Sequence, residues 1–208
     1  MAKRQIAVKK RGASVRKSKP VYLIVAEGKN KTETLYFSNY QEQGRPYSIR
    51  FVRAGNRTDA ESLYKTLKSK WKELDLSSEN GDRGFIVLDM DNDAQKEASV
   101  LELMRDNNNN AIEFIVSNPT FEVWFLLHFK YTTKEYSNGD AVISDLKKYV
   151  PEYEKNRDIY RFCSQKITDA MSNSDRLVKY FGDKAWPSIS CNPRTDVSRL
   201  VKLLEQNN

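Results

Sequence analysis

Hydrophobic residues in the first part of the chain fall into short runs separated by segments with helical spacing. Apolar or alternating runs predict four strands, at 21–26, 47–53, 85–88 and 111–116, each bounded by turn-forming residues. The segment after each strand has apolar residues at the spacing of an amphipathic helix. The repeated strand–helix order predicts an α/β fold with a mainly parallel four-stranded sheet and helices on both faces.

Local start signals set the expected helix boundaries. Asn30-Lys31-Thr32-Glu33 resembles a capping box, and Thr58 opens the second helix. Asn118-Pro119 predicts the start of the fourth helix, with asparagine as the cap and proline at the first helical position. In the third helix, expected over 94–105, three apolar residues are predicted to face inward: Val100, Leu101 and Met104.

Beyond the fourth predicted helix the pattern becomes wholly helical. Helices are expected at 141–149, at 158–181 and from a second Asn-Pro pair, Asn192-Pro193, onward. No low-complexity linker separates these helices from the strands. Residues 21–129 are therefore predicted to form an α/β core, and 130–208 a C-terminal helical extension of the same domain.

The charge of the chain is unevenly distributed. The formal net charge is +7, but residues 1–20 contain eight of the 35 basic side chains and no acidic one. The other 188 residues therefore hold 27 basic and 28 acidic side chains, which makes the expected folded part nearly neutral. Residues 1–20 are predicted to be a disordered basic arm, which either adds salt-sensitive attraction to phosphates or only aids solubility.

Several classes of protein are disfavoured by what the sequence lacks. Two cysteines, Cys163 and Cys191, and one histidine, His128, are too few for a disulfide framework or a Cys/His zinc site. All three are expected in the core, the cysteines as reduced thiols. Neither a phosphate-binding glycine loop nor a Gly-x-Ser-x-Gly elbow is present, which argues against an ATPase or a serine hydrolase. Apolar runs are too short for a membrane helix, and a cytoplasmic location is expected.

Three acidic residues follow strands of the predicted sheet. Glu27 comes directly after the first strand, and Asp89 and Asp91 follow the third. The carboxyl ends of parallel strands meet at one edge of a sheet, where active sites form. Ligands that offer only carboxylate oxygens suit Mg²⁺ or Mn²⁺ rather than zinc. The sequence therefore predicts a Mg²⁺ or Mn²⁺ site at this edge, able to support phosphodiester cleavage or transfer.

Three further acidic residues each have two interpretations. Asp93 is expected to cap the third helix rather than bind metal. Glu33 is expected to be the reciprocal partner of the capping box. Glu122, in the first turn of an apolar helix, either interacts favourably with the helix dipole or faces a metal or substrate.

Basic residues near the same edge are candidates for contacts with phosphate. Lys29 and Lys31 follow Glu27, and Arg53 and Arg57 follow the second strand. Arg194, at the expected amino end of the last helix, is a further candidate. Each of these residues also fits an ordinary surface charge.

Together these residues resemble the Toprim superfamily, in which a glutamate follows the first strand and an Asp-x-Asp motif follows the third. More closely, the chain resembles the RloB family of bacterial defence-associated proteins. Four blocks carry this resemblance in the family order: Val25-Ala26-Glu27-Gly28 with Thr32-Glu33, Phe85-Ile86-Val87-Leu88-Asp89-Met90-Asp91, Ser117-Asn118-Pro119-Thr120-Phe121-Glu122-Val123-Trp124, and Asn192-Pro193-Arg194-Thr195. Family members often have a second acidic residue where this chain has Lys29.

The resemblance implies a Toprim-like fold and a metal-dependent nuclease role in restriction or abortive phage defence. It places Glu27, Asp89 and Asp91 at the Toprim catalytic positions. Asn118 and Glu122 match a block typical of the family, which adds Glu122 to the expected metal ligands and Asn118 to the expected phosphate contacts. An AAA- or ABC-type ATPase often accompanies members of the family and is the expected partner.

Three functions follow as hypotheses. The first is a Mg²⁺- or Mn²⁺-dependent endonuclease acting on DNA or RNA. The second is an effector or binding subunit that is inactive alone and controlled by a partner ATPase, which the near-neutral folded part favours. The third is nucleotidyl transfer, as in primases. The sequence does not determine the oligomeric state, and a homo-oligomer is one of the open alternatives.

Overall fold

Parallel pairing of the predicted apolar runs organises the fold. The structure, a computed structural model, describes residues 19–27, 32–55 and 59–206. Within those residues the strands are β1 (Val21–Ala26), β2 (Ser48–Val52), β3 (Arg83–Asp89), β4 (Ile112–Asn118) and β5 (Arg194–Thr195). The helices are α1 (Thr32–Ser38), α2 (Ala60–Glu73), α3 (Ala94–Asp106), α4 (Glu122–Leu127), α5 (Gly139–Leu146), α6 (Tyr160–Cys163), α7 (Ile167–Phe181) and α8 (Val197–Gln206).

The described strands form one sheet in the order β2-β1-β3-β4-β5. The first four are parallel, as predicted, and β5 is antiparallel to β4. The prediction of a four-stranded sheet therefore missed β5. Two residues are too short to show an alternating pattern, and β5 is held partly by a contact of 2.8 Å between the Ser117 and Thr195 hydroxyls, 78 positions apart.

Helices cover both faces of the sheet, which confirms that part of the prediction. Successive side chains of a strand point to opposite faces, so Ile24 joins one apolar cluster and Leu23 the other. The cluster around Ile24 contains residues of α1, α4, α5, α7 and α8, and the cluster around Leu23 contains residues of α2 and α3. The C-terminal helices thus pack on the same face as α1 and α4.

Both predicted Asn-Pro helix starts are wrong. Asn118 is the last residue of β4 and pairs with Arg194 of β5, so it is part of the sheet and cannot cap a helix. Helix α4 begins at Glu122, and α8 begins at Val197 rather than at Pro193. Both Asn-Pro peptide bonds are cis.

Two other helix predictions need correction. In α3 only Val100 is fully buried, with Leu103 packed beside it, whereas Leu101 and Met104 are 42% and 38% exposed. The pair Val100 and Leu103 has the same i, i+3 spacing as the pair Leu101 and Met104. The sequence therefore does not show which of the two pairs faces the sheet. The helix expected over 158–181 is divided into α6, a 3₁₀ turn at Ser164–Lys166, and α7.

The histidine and both cysteines are buried, as expected, and both cysteines are free thiols. In the described ranges no helix is long and apolar enough to cross a membrane.

Candidate functional site

Two of the predicted acidic residues meet at the carboxyl edge of the sheet. Glu27 follows β1 directly, and its backbone N–H donates to the Val87 carbonyl at 2.8 Å, which continues the pairing of β1 with β3. Asp89 ends β3, and its backbone N–H donates to Glu27 Oε2 at 3.2 Å. Parallel pairing of neighbouring strands therefore brings these two carboxyl groups together from positions 62 residues apart.

A lysine that the sequence analysis missed connects the predicted metal ligands. Lys96 Nζ donates to Glu27 Oε1 at 2.7 Å, to Asp91 Oδ2 at 2.6 Å and to the Asp89 carbonyl at 3.2 Å. Burial by itself would lower the pKa of Lys96, but the hydrogen bonds to Asp91 and Glu27 outweigh it and raise the pKa to about 12. The ammonium is therefore charged and shared by all three residues.

The position of Lys96 in its helix was a usable signal. Asp93 caps α3, as predicted, because its Oδ1 accepts from the backbone N–H groups of Gln95 at 2.7 Å and Lys96 at 3.3 Å. Lys96 therefore lies in the first turn, where the helix dipole disfavours a positive charge. In this structure the carboxylates of Glu27 and Asp91 offset the repulsion.

A chain of hydrogen bonds extends the site into the protein. Thr120 Oγ1 lies 2.9 Å from Asp89 Oδ2 and 2.5 Å from Glu122 Oε2, and the Tyr153 hydroxyl donates to Glu122 Oε1 at 2.7 Å. A hydroxyl has a single hydrogen to donate. Thr120 can therefore satisfy only one of the two carboxylates, and the other contact requires a proton on a carboxyl group.

Glu33 adds a further buried carboxyl group from the first turn of α1. Burial raises the pKa of Glu33, and the charges of Glu122 and Glu27 raise it further. Burial also raises the pKa of Asp89 well above its ordinary value, as do the charges of Glu33, Glu122 and Glu27. We call Glu27, Glu33, Asp89 and Glu122 the acidic cluster. Neighbouring carboxylates thus raise the pKa of both Glu33 and Asp89, and Lys96 pairs with the cluster through Glu27 alone among its carboxylates.

The chemistry of these residues fits a divalent cation. Asp89 Oδ1 is buried and has no hydrogen-bond partner among the described residues. Carboxylate oxygens are the ligands that Mg²⁺ and Mn²⁺ prefer. In the described ranges, however, no three His, Cys, Asp or Glu side chains already surround a common point at metal-binding distance. The Lys96 ammonium lies between Glu27 and Asp91 instead.

The site is reached through a cavity of about 230 Å³. Glu27, Asp89 and Lys96 line it together with the capping residues Asp59 and Asp93. Such a volume is below the range of about 300–1,000 Å³ that is usual for ligand pockets. A larger cavity of about 600 Å³, lined by α7 and α8, contains none of the predicted site residues.

The predicted phosphate-binding residues have different outcomes. Arg53 follows β2 and is exposed. Lys29, Lys31 and Arg57 lie outside the described residues. Arg194 is not at a helix end but in β5, where it is mostly buried and its guanidinium lies 4.5 Å from the ring centroid of Trp186.

Asn118 is buried and fully engaged. Its amide nitrogen donates to the carbonyls of Ile189 at 3.2 Å and Cys191 at 3.3 Å, and its Oδ1 accepts from the Asn92 backbone N–H at 3.2 Å. Both amide hydrogens are therefore used within the protein. This geometry lends no support to the expected phosphate contact.

Asparagines instead hold the loop that carries Asp91. Asp91 and Asn92 both have left-handed backbone conformations, with φ of 52° and 57°. Asn92 Nδ2 donates to the Tyr136 carbonyl at 2.8 Å, and Asn192 Nδ2 donates to Asn92 Oδ1 at 2.9 Å. The segment before β5 thus fixes the loop after β3. The left-handed backbone of this loop is an unusual conformation that tertiary contacts must maintain.

Fold and site together define a mostly parallel α/β protein with a buried acidic cluster at the carboxyl edge of its sheet. The sequence profile of the RloB-like protein family matches residues 22–204. The chain therefore belongs to the RloB-like family, as its resemblance had indicated. Neither the curated proteins nor the solved structures include a match to the chain.

Proposed function

We propose that this RloB-like protein is a metal-dependent nuclease of Toprim type that uses Mg²⁺ or Mn²⁺. The observation that supports this most strongly is the buried, unpartnered Asp89 Oδ1 within the acidic cluster. A cation there would give that oxygen a partner and place positive charge beside the Asp89 carboxylate. Glutamate after β1 and Asp-x-Asp after β3 also have the Toprim order, which supports a Toprim-like arrangement of the core.

Glu27, Asp89, Asp91 and Glu122 are the proposed ligands. A divalent cation, when bound, polarises a phosphodiester and stabilises negative charge on its oxygens. Thr120 and Tyr153 hold the carboxyl groups of Asp89 and Glu122 in place. Because Glu27 lines the cavity, it is placed to bind the cation or to move a proton at the reacting oxygen.

The proposed substrate is DNA or RNA, cleaved in defence against phage. Arg53, exposed after β2 at the same edge, is the proposed phosphate contact among the described residues. The eight basic residues within positions 1–20 would add salt-dependent attraction to a polyanion.

A second candidate is an effector subunit that acts only with a partner ATPase. The near-neutral charge of residues 21–208 favours it, because a nuclease that binds nucleic acid alone commonly has a basic face. Under this proposal the same acidic cluster operates only in the complex.

Cleavage assays with Glu27→Gln test the first proposal. The purified protein is incubated with Mn²⁺ and single- or double-stranded DNA and RNA, and Glu102→Gln, an exposed change on α3, is the matched control. We expect Glu27→Gln to lower the cleavage rate about 100-fold or more, with no change in the control. Equal cleavage by Glu27→Gln and the native protein would contradict the proposal.

Two further outcomes separate the alternatives. If the native protein binds Mn²⁺ but cleaves nothing alone, and cleavage appears when the ATPase is added, the effector subunit is supported. Incorporation of labelled nucleoside triphosphates into a longer product would instead identify nucleotidyl transfer.

A further inference from the structure

We propose that Lys96 is a built-in counter-ion that occupies the position of the divalent cation and is displaced when the cation binds. The inference rests on the proposed function, since it concerns how the same site admits its metal. It assigns to Lys96 control over metal affinity, a role separate from that of the ligands.

The contacts of Lys96 Nζ are those of a bound cation. Its three oxygen partners, at 2.6 to 3.2 Å, are the carboxylates of Glu27 and Asp91 and the backbone carbonyl of Asp89, which belong to three of the four residues proposed to hold metal. In a magnesium site the ligand oxygens lie about 2.0–2.1 Å from the ion. An ammonium and a divalent cation cannot share that space, so one excludes the other.

Lys96 is placed so that it can leave. Its side chain is 31% exposed and lines the open cavity, so its flexible stem has a route to solvent. The Asp93 cap holds the backbone of that turn independently of the ammonium. Displacement therefore needs only rotation of the side chain, with no change in the fold.

The ammonium also explains how the carboxylates remain together without metal. Two of them, those of Glu27 and Asp91, are paired with Lys96. A divalent cation brings twice the charge, but it must first replace these two ion pairs. Lys96 therefore sets a threshold: the cation binds only when its concentration is high enough to outcompete the ammonium.

Calorimetric titration with Mn²⁺ tests the inference on the whole chain. The proteins compared are the native chain, Lys96→Gln, Lys96→Arg and Lys65→Gln. Lys65 forms an exposed ion pair with Glu61 on α2, so its replacement removes one positive charge away from the site. Circular dichroism establishes that each variant is folded.

Removal of the two ion pairs is expected to tighten Mn²⁺ binding by about tenfold or more in Lys96→Gln. Lys65→Gln should match the native Kd, and Lys96→Arg should bind no more tightly than the native chain. An equal Kd for Lys96→Gln and the native chain would overturn the inference and leave the metal site standing. Absence of Mn²⁺ binding to all four proteins would overturn the metal site and the inference together.

A second measurement follows Lys96 in the native protein. The Lys96 ammonium resonance of ¹⁵N-lysine-labelled protein is identified by its loss in Lys96→Gln. We expect Mg²⁺ to shift it towards the position of solvent-exposed lysines, in proportion to site occupancy. An unshifted resonance at saturating Mg²⁺ would show that the ammonium stays in place and would refute displacement.

Discussion

Helix α4 buries a titratable residue at each end, and the two are accommodated in opposite ways. At the amino end, Glu122 contacts Thr120 and Tyr153 and belongs to the acidic cluster. At the carboxyl end, His128 is as buried as Glu122, at 2% exposure each. Its Nδ1 contacts the Trp124 carbonyl at 2.9 Å, and its ring packs edge-on against the Trp124 ring.

The difference shows how a structural buried group is distinguished from a functional one. Burial lowers the pKa of His128 to about 4, so the imidazole stays neutral at ordinary pH and fits the core. Neutrality removes the cost of a buried charge for this single group, whose Nε2 has no hydrogen-bond partner among the described residues. Several carboxyl groups gathered at one place are costly even when one is protonated, and an apolar core would be more stable. Their presence at the edge of the sheet is explained if they bind a cation.

The largest expected effect comes from Asp89→Asn, which removes a buried ionisable group of the cluster. We expect Mn²⁺ binding to weaken about 100-fold or more, because a direct ligand is lost. Without metal, at pH 8, the variant should be about 1–3 kcal/mol more stable than the native chain, because a costly buried charge is gone. Calorimetry with Mn²⁺ and urea unfolding in EDTA measure the two effects.

A stability gain joined to a loss of binding would identify the cluster as functional. Glu102→Gln, an exposed change, serves as the control for both measurements. A variant that is less stable without metal would show that Asp89 is structural, like His128.

At the other end of α4, His128 should make folding sensitive to acid. The folded-state pKa of about 4 lies below the ordinary histidine pKa of 6.5, so the unfolded chain binds the proton more readily between those pH values. The contribution of neutral His128 is therefore complete above pH 6.5 and lost as pH falls towards 4. The integrated loss is about 3 kcal/mol.

Urea unfolding from pH 7 to 4 measures this effect as the difference between the native chain and His128→Gln. The difference isolates His128 from the carboxyl groups, which titrate in both proteins. Parallel stability curves for the two proteins would show that the buried imidazole does not control acid sensitivity.

Glu33 should give the opposite dependence on pH. Its folded-state pKa is raised, so its contribution to stability is fully present below the ordinary glutamate pKa of 4.5 and is lost as pH rises through the folded-state pKa. Glu33→Gln should therefore gain stability relative to the native chain with rising pH, by about 1.4 kcal/mol per pH unit at most. Urea unfolding in EDTA at pH 5 to 8 measures the trend, and a constant difference would rule it out.

The smallest expected effects come from the hydroxyl groups that hold Glu122. Tyr153→Phe should cost about 1–2 kcal/mol, because the buried Glu122 Oε1 loses its donor. Tyr149→Phe, at an exposed tyrosine, is the matched control. Urea unfolding measures both variants, and equal stabilities would show that the hydrogen bond contributes little.

Much of the fold could be predicted because its signals are local. The runs that became β1 and β3 are apolar over their whole length, and a carboxylate follows each. Parallel pairing then places Glu27 and Asp89 at one edge, whatever the details of the helices. The Asp93 cap was predictable for the same reason, since its hydrogen bonds span two and three residues.

Contacts between distant parts of the chain were decided only by the tertiary structure. Lys96 meets Glu27 across 69 positions, and Asn192 meets Asn92 across 100. The two Asn-Pro pairs were interpreted as helix starts because local rules describe only local hydrogen bonds, whereas Asn118 makes its bonds to distant segments.

The sequence by itself determined the parallel sheet and the acidic residues at its edge, because both follow from strand period and strand direction. The tertiary structure decided that β5 joins the sheet, that Thr120 and Tyr153 hold Glu122, and that a lysine lies among the proposed metal ligands. The physical reason is that a side chain's partner depends on how helices and loops pack above the strands. The spacing of residues along the chain does not encode which distant segments come together in this way.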